Sequence, residues 1–174
     1  MKKILFLFGV ISVFLVGCSG NSEKEEDAYF SELQNLTTIS YKLASESESI
    51  AVDYLDVWRS VVFDGAVIVD GRTYTDFNDA LTAKYMENSN TNVFEPVYEL
   101  SADAKLSYNK LKEGEVNKYS KEFEIVRDFY LKSNELKNLS LEAKGSYNSY
   151  SDEFNEKRDE LSSLYSKLKI ELDL

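Results

Sequence analysis

Between residues 27 and about 63, Phe30, Leu33, Leu36, Ser40, Leu43, Ser47, Ile50, Tyr54, Trp58 and Val61 recur at alternating steps of three and four. With 3.6 residues per turn, that spacing keeps one side of a single helix facing a partner for about five heptads. Ser40, Ala44, Ser47 and Ala51 keep the middle of the stripe slim, so a neighbouring helix can approach closely there. Such a helix would run for about 55 Å, and a kink or break is expected within it.

The pattern then changes. In VVFDGAVIVDGRTY, residues 61–74, Asp64-Gly65 and Asp70-Gly71 flank a short apolar run. Asp-Gly between β-branched residues is a hairpin signal, although Gly65 would equally suit the end of the first helix. A short irregular or hairpin-like excursion is expected at 64–75. Thr75 or Asp76 can cap a helix carrying Phe77, Leu81 and Tyr85 and ending near Glu87, with Asn88-Ser89-Asn90-Thr91-Asn92 as a polar loop. Pro96 fits the first turn of the next helix, where it has no amide hydrogen to lose. That helix carries Val97, Leu100, Ala104, Tyr108 and Leu111, and Gly114 ends it.

Val116, Tyr119, Phe123, Val126 and Tyr130 start another stripe that reaches Leu136 and Leu139. Either a turn between Leu139 and Tyr147 or a bend of one helix separates it from a last stripe, Tyr147, Tyr150, Phe154, Leu161, Leu164, Leu168 and Leu172; the turn is preferred, because an unbroken helix from Val116 to Leu172 would lack partners of matching length. Lys157 takes a seam position there, its stem packing while the ammonium reaches water. The expected fold is all-α: an antiparallel bundle of three or four main helices forming one domain over 27–174. Tyr54, Trp58, Tyr119 and Tyr130 are read as core.

Before the bundle, Lys2 and Lys3 precede an apolar run, residues 4–16. The run is shorter than the roughly 20 residues needed to span a bilayer, and suits the central region of a secretory signal. Leu15-Val16-Gly17-Cys18 follows and resembles the lipobox of bacterial lipoproteins. The resemblance implies that Leu15, Val16 and Gly17 are read by a signal peptidase that removes residues 1–17. Cys18 then begins the mature chain, carrying a diacylglycerol on sulfur and an acyl chain on nitrogen. Two or more chains are what stable attachment needs. Residues 18–26, the lipidated cysteine followed by SGNSEKEE, read as a flexible tether. The chain is therefore expected outside the cytoplasm, anchored to the bacterial membrane by lipid, which is the cell membrane in a host that has only one.

Composition narrows the chemistry. Loss of residues 1–17 leaves 18 basic residues against 31 acidic ones, moving the formal charge from −11 to −13. That surface repels nucleic acid and anionic lipid head groups. Histidine is absent and the single cysteine belongs to the lipobox. Nucleophile systems built on histidine, His/Cys zinc sites and disulfides are thus excluded. Asp64, Asp70 and Asp76 miss the spacing of a calcium loop, so no metal or other cofactor is expected beyond the lipid on Cys18. Carboxylates are plentiful, as in Asp53 with Asp56 or Asp152 with Glu156, but none sits alone in an apolar run that would raise its pKa for acid–base work. Glu46 and Glu48 read as a solvated edge. No enzyme is expected.

The segment GSYNSYSDEFNE, residues 145–156, with Leu164-Tyr165 and Lys167-Leu168, resembles the C-terminal helix hairpin of uncharacterised helical lipoproteins from low-GC Gram-positive bacteria and their prophages. The resemblance implies a helical cell-surface protein with no assigned chemistry. The function expected is a non-catalytic module that binds an envelope protein or props an envelope complex, a prophage-linked role being one version. The alternative is a lipoprotein that holds wall glycan or a small solute on exposed aromatic rings. Tyr147 and Tyr150 are the candidate contact residues, because tyrosine offers an apolar face with a polar tip.

Overall fold

The computed structural model describes residues 19–114 and 117–174. The signal segment and the lipobox, including Leu15, Val16, Gly17 and Cys18, lie outside the described residues, as does Val116. Among the described residues there are five α-helices and one two-stranded hairpin: α1 Ser19–Arg59, a π-helical turn Ser60–Asp64, β1 Val67–Val69, β2 Arg72–Tyr74, α2 Phe77–Asn90, α3 Glu95–Glu113, a 3-10 turn Asn117–Tyr119, α4 Ser120–Leu141 and α5 Tyr147–Glu171. The described residues are all-α apart from that hairpin.

α1 is the axle. At 41 residues it runs for about 60 Å, and the stripe expected from sequence is its buried face: Leu33, Leu36, Leu43, Ile50, Tyr54, Trp58 and Val61 are all inside. Residues 19–26, expected as a flexible tether, are instead its first turns. Glu26 there receives Lys118 at 2.6 Å, so the polar segment continues the helix and is tied to the chain just before α4.

The long helices α1, α3, α4 and α5 alternate in direction, as expected, while α2 runs the same way as α3: Ala80 packs with Val57 and Val61, and Lys84 meets Asp53. Phe94 and Val97 at the start of α3 pack with Ile50 and Tyr54 late in α1, and Glu32 early in α1 accepts from Ser107 late in α3. The most extensive contact, however, is between α1 and α4, and these two run parallel. Tyr119, just before α4, stacks on Tyr29 at 6.2 Å and tilts against Phe30 at 5.3 Å. At the other end, Tyr150 contacts both Trp58 of α1 and the Leu139 carbonyl of α4. The section of the bundle is thus a flattened rhombus, with α3 and α5 flanking a short α1–α4 diagonal.

Small side chains allow that approach. Thr37, Ser40, Ala44, Ser47 and Ala51 of α1 and Ser133 and Ser140 of α4 are buried. Most of their hydroxyls donate to a carbonyl of their own helix: Thr37 to Leu33 at 2.9 Å, Ser47 to Leu43 at 2.7 Å, Ser133 to Phe129 at 2.9 Å and Ser140 to Lys137 at 2.8 Å. A hydroxyl satisfied this way can be buried without a partner on the facing helix.

α5 closes the other side. Lys157 behaves as expected of a seam lysine: its stem is covered, and its ammonium meets Glu135 at 3.2 Å and Glu153 at 3.6 Å. Lys132 joins the same group through Glu135 at 3.2 Å and Glu160 at 2.9 Å. Burial alone would push the Glu135 carboxyl up, but Lys132 and Lys157 together hold it below its ordinary value.

Candidate interaction tip

The end of α1 remote from Cys18 is assembled from three short pieces. The first is the π turn Ser60–Asp64, closed by Gly65 with φ +83. An extra residue per turn rotates the helix face, so Val61 stays buried while Val62 and Phe63 point outward, Phe63 at 67 % exposure. The second is the hairpin, antiparallel with Val67 opposite Tyr74, Ile68 opposite Thr73 and Val69 opposite Arg72. Asp70 and Gly71 both have positive φ, 47 and 72, as a two-residue type I′ connection requires. Strand alternation turns Val69 inward, onto a small core with Val57, Val61 and Ala80, and Ile68 outward at 71 % exposure.

The third piece is the start of α5. Ser146 and Ser149 form a capping box: Ser146 Oγ accepts from the Ser149 amide at 3.2 Å, and Ser149 Oγ accepts from the Ser146 amide at 3.0 Å. Gly145 precedes it at φ +96, and a Cβ there would stand 3.0 Å from Ser149 Oγ, so both backbone and cap require glycine. This cap fixes Tyr147, whose ring meets Phe63 edge to face at 5.6 Å and 83°.

The two tyrosines singled out from sequence therefore part company. Tyr147 is half-buried beside the exposed Phe63. Tyr150, read as a candidate contact residue, is 2 % exposed and offers no surface. Its ring tilts on Trp58 at 5.1 Å and its hydroxyl donates to the Leu139 carbonyl at 3.1 Å, and burial pushes its phenol well up. It locks α5 to the ends of α1 and α4. Tyr54, Trp58 and Tyr130 are core as expected, and Tyr119 is half-buried against Tyr29 and Phe30.

Sequence reasoning missed Val62, Phe63 and Ile68. Their signal was present: a helical stripe needs one apolar residue among 61–63 and the chain has three, while period two in Val67-Ile68-Val69 sends the middle residue to the opposite face. Asp64, Asp70, Asp76 and Asp79 surround this end with Arg59 and Arg72, all exposed, so its rim is acidic. Asp76 is committed to capping α2, with Oδ1 accepting from the Asn78 and Asp79 amides at 2.9 and 3.1 Å. Among the described residues no three His, Cys, Asp or Glu side chains gather as a metal site would need, and no helix is long and apolar enough to cross a membrane. No family model matches the chain, and neither a curated protein nor a solved structure shows detectable similarity to it.

Proposed function

We propose that the chain is a non-catalytic lipoprotein, held to the outer surface of a bacterial membrane through lipid on Cys18, that engages an envelope protein with its far tip. The observation that carries the reading is the outward display of Val62, Phe63 and Ile68 at one end of α1, when Cys18 directly precedes the other end. Three large apolar side chains exposed at this end, with acidic groups around them, offer a contact surface. The acidic rim favours a partner with basic groups around an apolar centre. A shaft of about 60 Å holds that tip clear of the lipid head groups.

In cells, a photo-crosslinking side chain at Phe63, Ile68 or Tyr147 is expected to yield one discrete protein adduct, and the same probe at Lys112, near the opposite end of the bundle, is not. Equal adducts from both ends, or none from the tip, contradict the reading. The anchor is tested separately: Cys18→Ala abolishes incorporation of labelled palmitate, and undiminished labelling of that variant rules the lipid assignment out.

A further inference from the structure

The hairpin at the tip is a sheet of two strands, so each strand has one edge without a neighbour in the sheet. The two edges differ. β1 lies against the π turn, whereas Arg72 and Thr73 of β2 are exposed. Register decides which backbone groups the open edge carries. The residues flanking a two-residue turn, Val69 and Arg72, are a hydrogen-bonded pair, and pairs alternate along an antiparallel ladder. Val67 with Tyr74 is then bonded again. Ile68 with Thr73 is the pair between them, and its N–H and C=O groups point away from the facing strand. Among the described residues, nothing outside the hairpin bonds the Thr73 amide or carbonyl. The edge of β2 thus offers a donor and an acceptor on one residue, as strand addition requires.

The side chains there say what kind of strand fits. Ile68 and Thr73 stand opposite each other and share the outer face of the hairpin, both exposed. A strand added beside Thr73 would widen that face, so β-branched or aromatic residues suit it. Along the chain, Thr73 lies three residues from Asp70 and three from Asp76. Both are exposed, and neither carboxylate forms an ion pair among the described residues. Arg72 is the one cation between them. A strand laid along β2 therefore meets a carboxylate near each of its ends, which favours basic residues on both sides of its centre.

We propose, resting on the reading of this end as the partner-binding surface, that the envelope protein is engaged by strand addition. An extended segment of it, apolar or β-branched at the centre with Lys or Arg on both sides, pairs with the outer edge of β2 at Thr73. Val62 and Phe63 are contacts outside that ladder, and the Thr73 backbone sets the register.

The test uses the full lipidated chain in cells, with a photo-crosslinking side chain at Phe63. Thr73→Pro removes the outward amide hydrogen and spares both hydrogen-bonded pairs, and proline is tolerated on an edge strand whose N–H faces solvent. It should lower the adduct about tenfold. Thr73→Val keeps the amide and a β-branched side chain, and should leave the adduct unchanged. Asp70→Asn keeps a residue that accepts positive φ and should lower the adduct about two- to fivefold. An unshifted Val69 methyl resonance in each purified variant reports that the hairpin still packs on Val57 and Ala80. Where Thr73→Pro shifts that resonance, the partner peptide mapped in the adduct decides: it should be an apolar run bounded by Lys or Arg. An adduct undiminished by Thr73→Pro, equal loss with Thr73→Val, or a mapped segment without basic residues overturns strand addition and leaves the tip a contact surface. No adduct from the unaltered chain overturns the tip reading itself.

Discussion

The α1–α4 shaft and the tip treat exposed chemistry in opposite ways. Along the shaft, side chains shrink to serine, threonine and alanine so that two parallel helices meet, and the hydroxyls of Thr37, Ser47, Ser133 and Ser140 are returned to their own helix. At the tip, Val61 and Val69 pack with Val57 and Ala80 in a small core, while Val62, Phe63 and Ile68 turn outward. The outward residues are not apolar for want of polar alternatives, since the same turn buries Val61 and the same strand buries Val69. One region packs small side chains between long helices, and the other leaves apolar side chains in solvent.

That contrast can be broken in a graded way. The largest effect is expected in the shaft: Leu136→Ala opens a cavity in the main core and should cost about 2–5 kcal/mol in denaturant unfolding. Ser133→Leu adds volume at a fully buried position of α4 and should cost about 1–3 kcal/mol; a tolerated leucine would mean that small residues are not needed there. Tyr150→Phe should cost about 1 kcal/mol by removing the buried hydrogen bond to the Leu139 carbonyl.

A smaller effect is expected from pH. Glu135 has a folded pKa below its ordinary 4.5, so its contribution is present above that value and lost as pH falls through the folded pKa. Its side chain is partly exposed, which limits the effect to less than about 1 kcal/mol. Glu135→Gln should therefore flatten the acid limb of a stability-against-pH curve without shifting its neutral plateau by more. The smallest stability effect belongs to the tip, where Phe63→Ser should change unfolding by no more than about 0.5 kcal/mol.

The shaft was readable in the sequence because period is local. Each stripe needs only 3.6 residues per turn, and the buried residues of α1, α3, α4 and α5 follow those stripes closely. Asp76 and Pro96 marked helix starts through their own backbone chemistry. What escaped was set by tertiary partners. The slim stripe of α1 announced a close neighbour but could not say that it was α4, running parallel. Residues 19–26 have a solvated composition, yet Lys118 meets Glu26 across 92 positions. Residues 88–90 look like loop, yet α2 continues through them and buries Asn88, with Thr91 Oγ1 donating to the Glu87 carbonyl at 2.8 Å. Tyr147 and Tyr150 differ by three residues of one helix; which of them faces the core depends on Trp58 and Leu139, far away in the chain.

The most direct test of the central claim combines both regions in one protein: Phe63→Ser with Ile68→Ser, carrying the photo-crosslinking probe at Tyr147, compared in cells with the same probe in the unaltered tip. The account predicts that the discrete protein adduct disappears while the melting temperature stays within about 2 °C. An adduct of undiminished yield would contradict it and place the partner's contact elsewhere on the molecule.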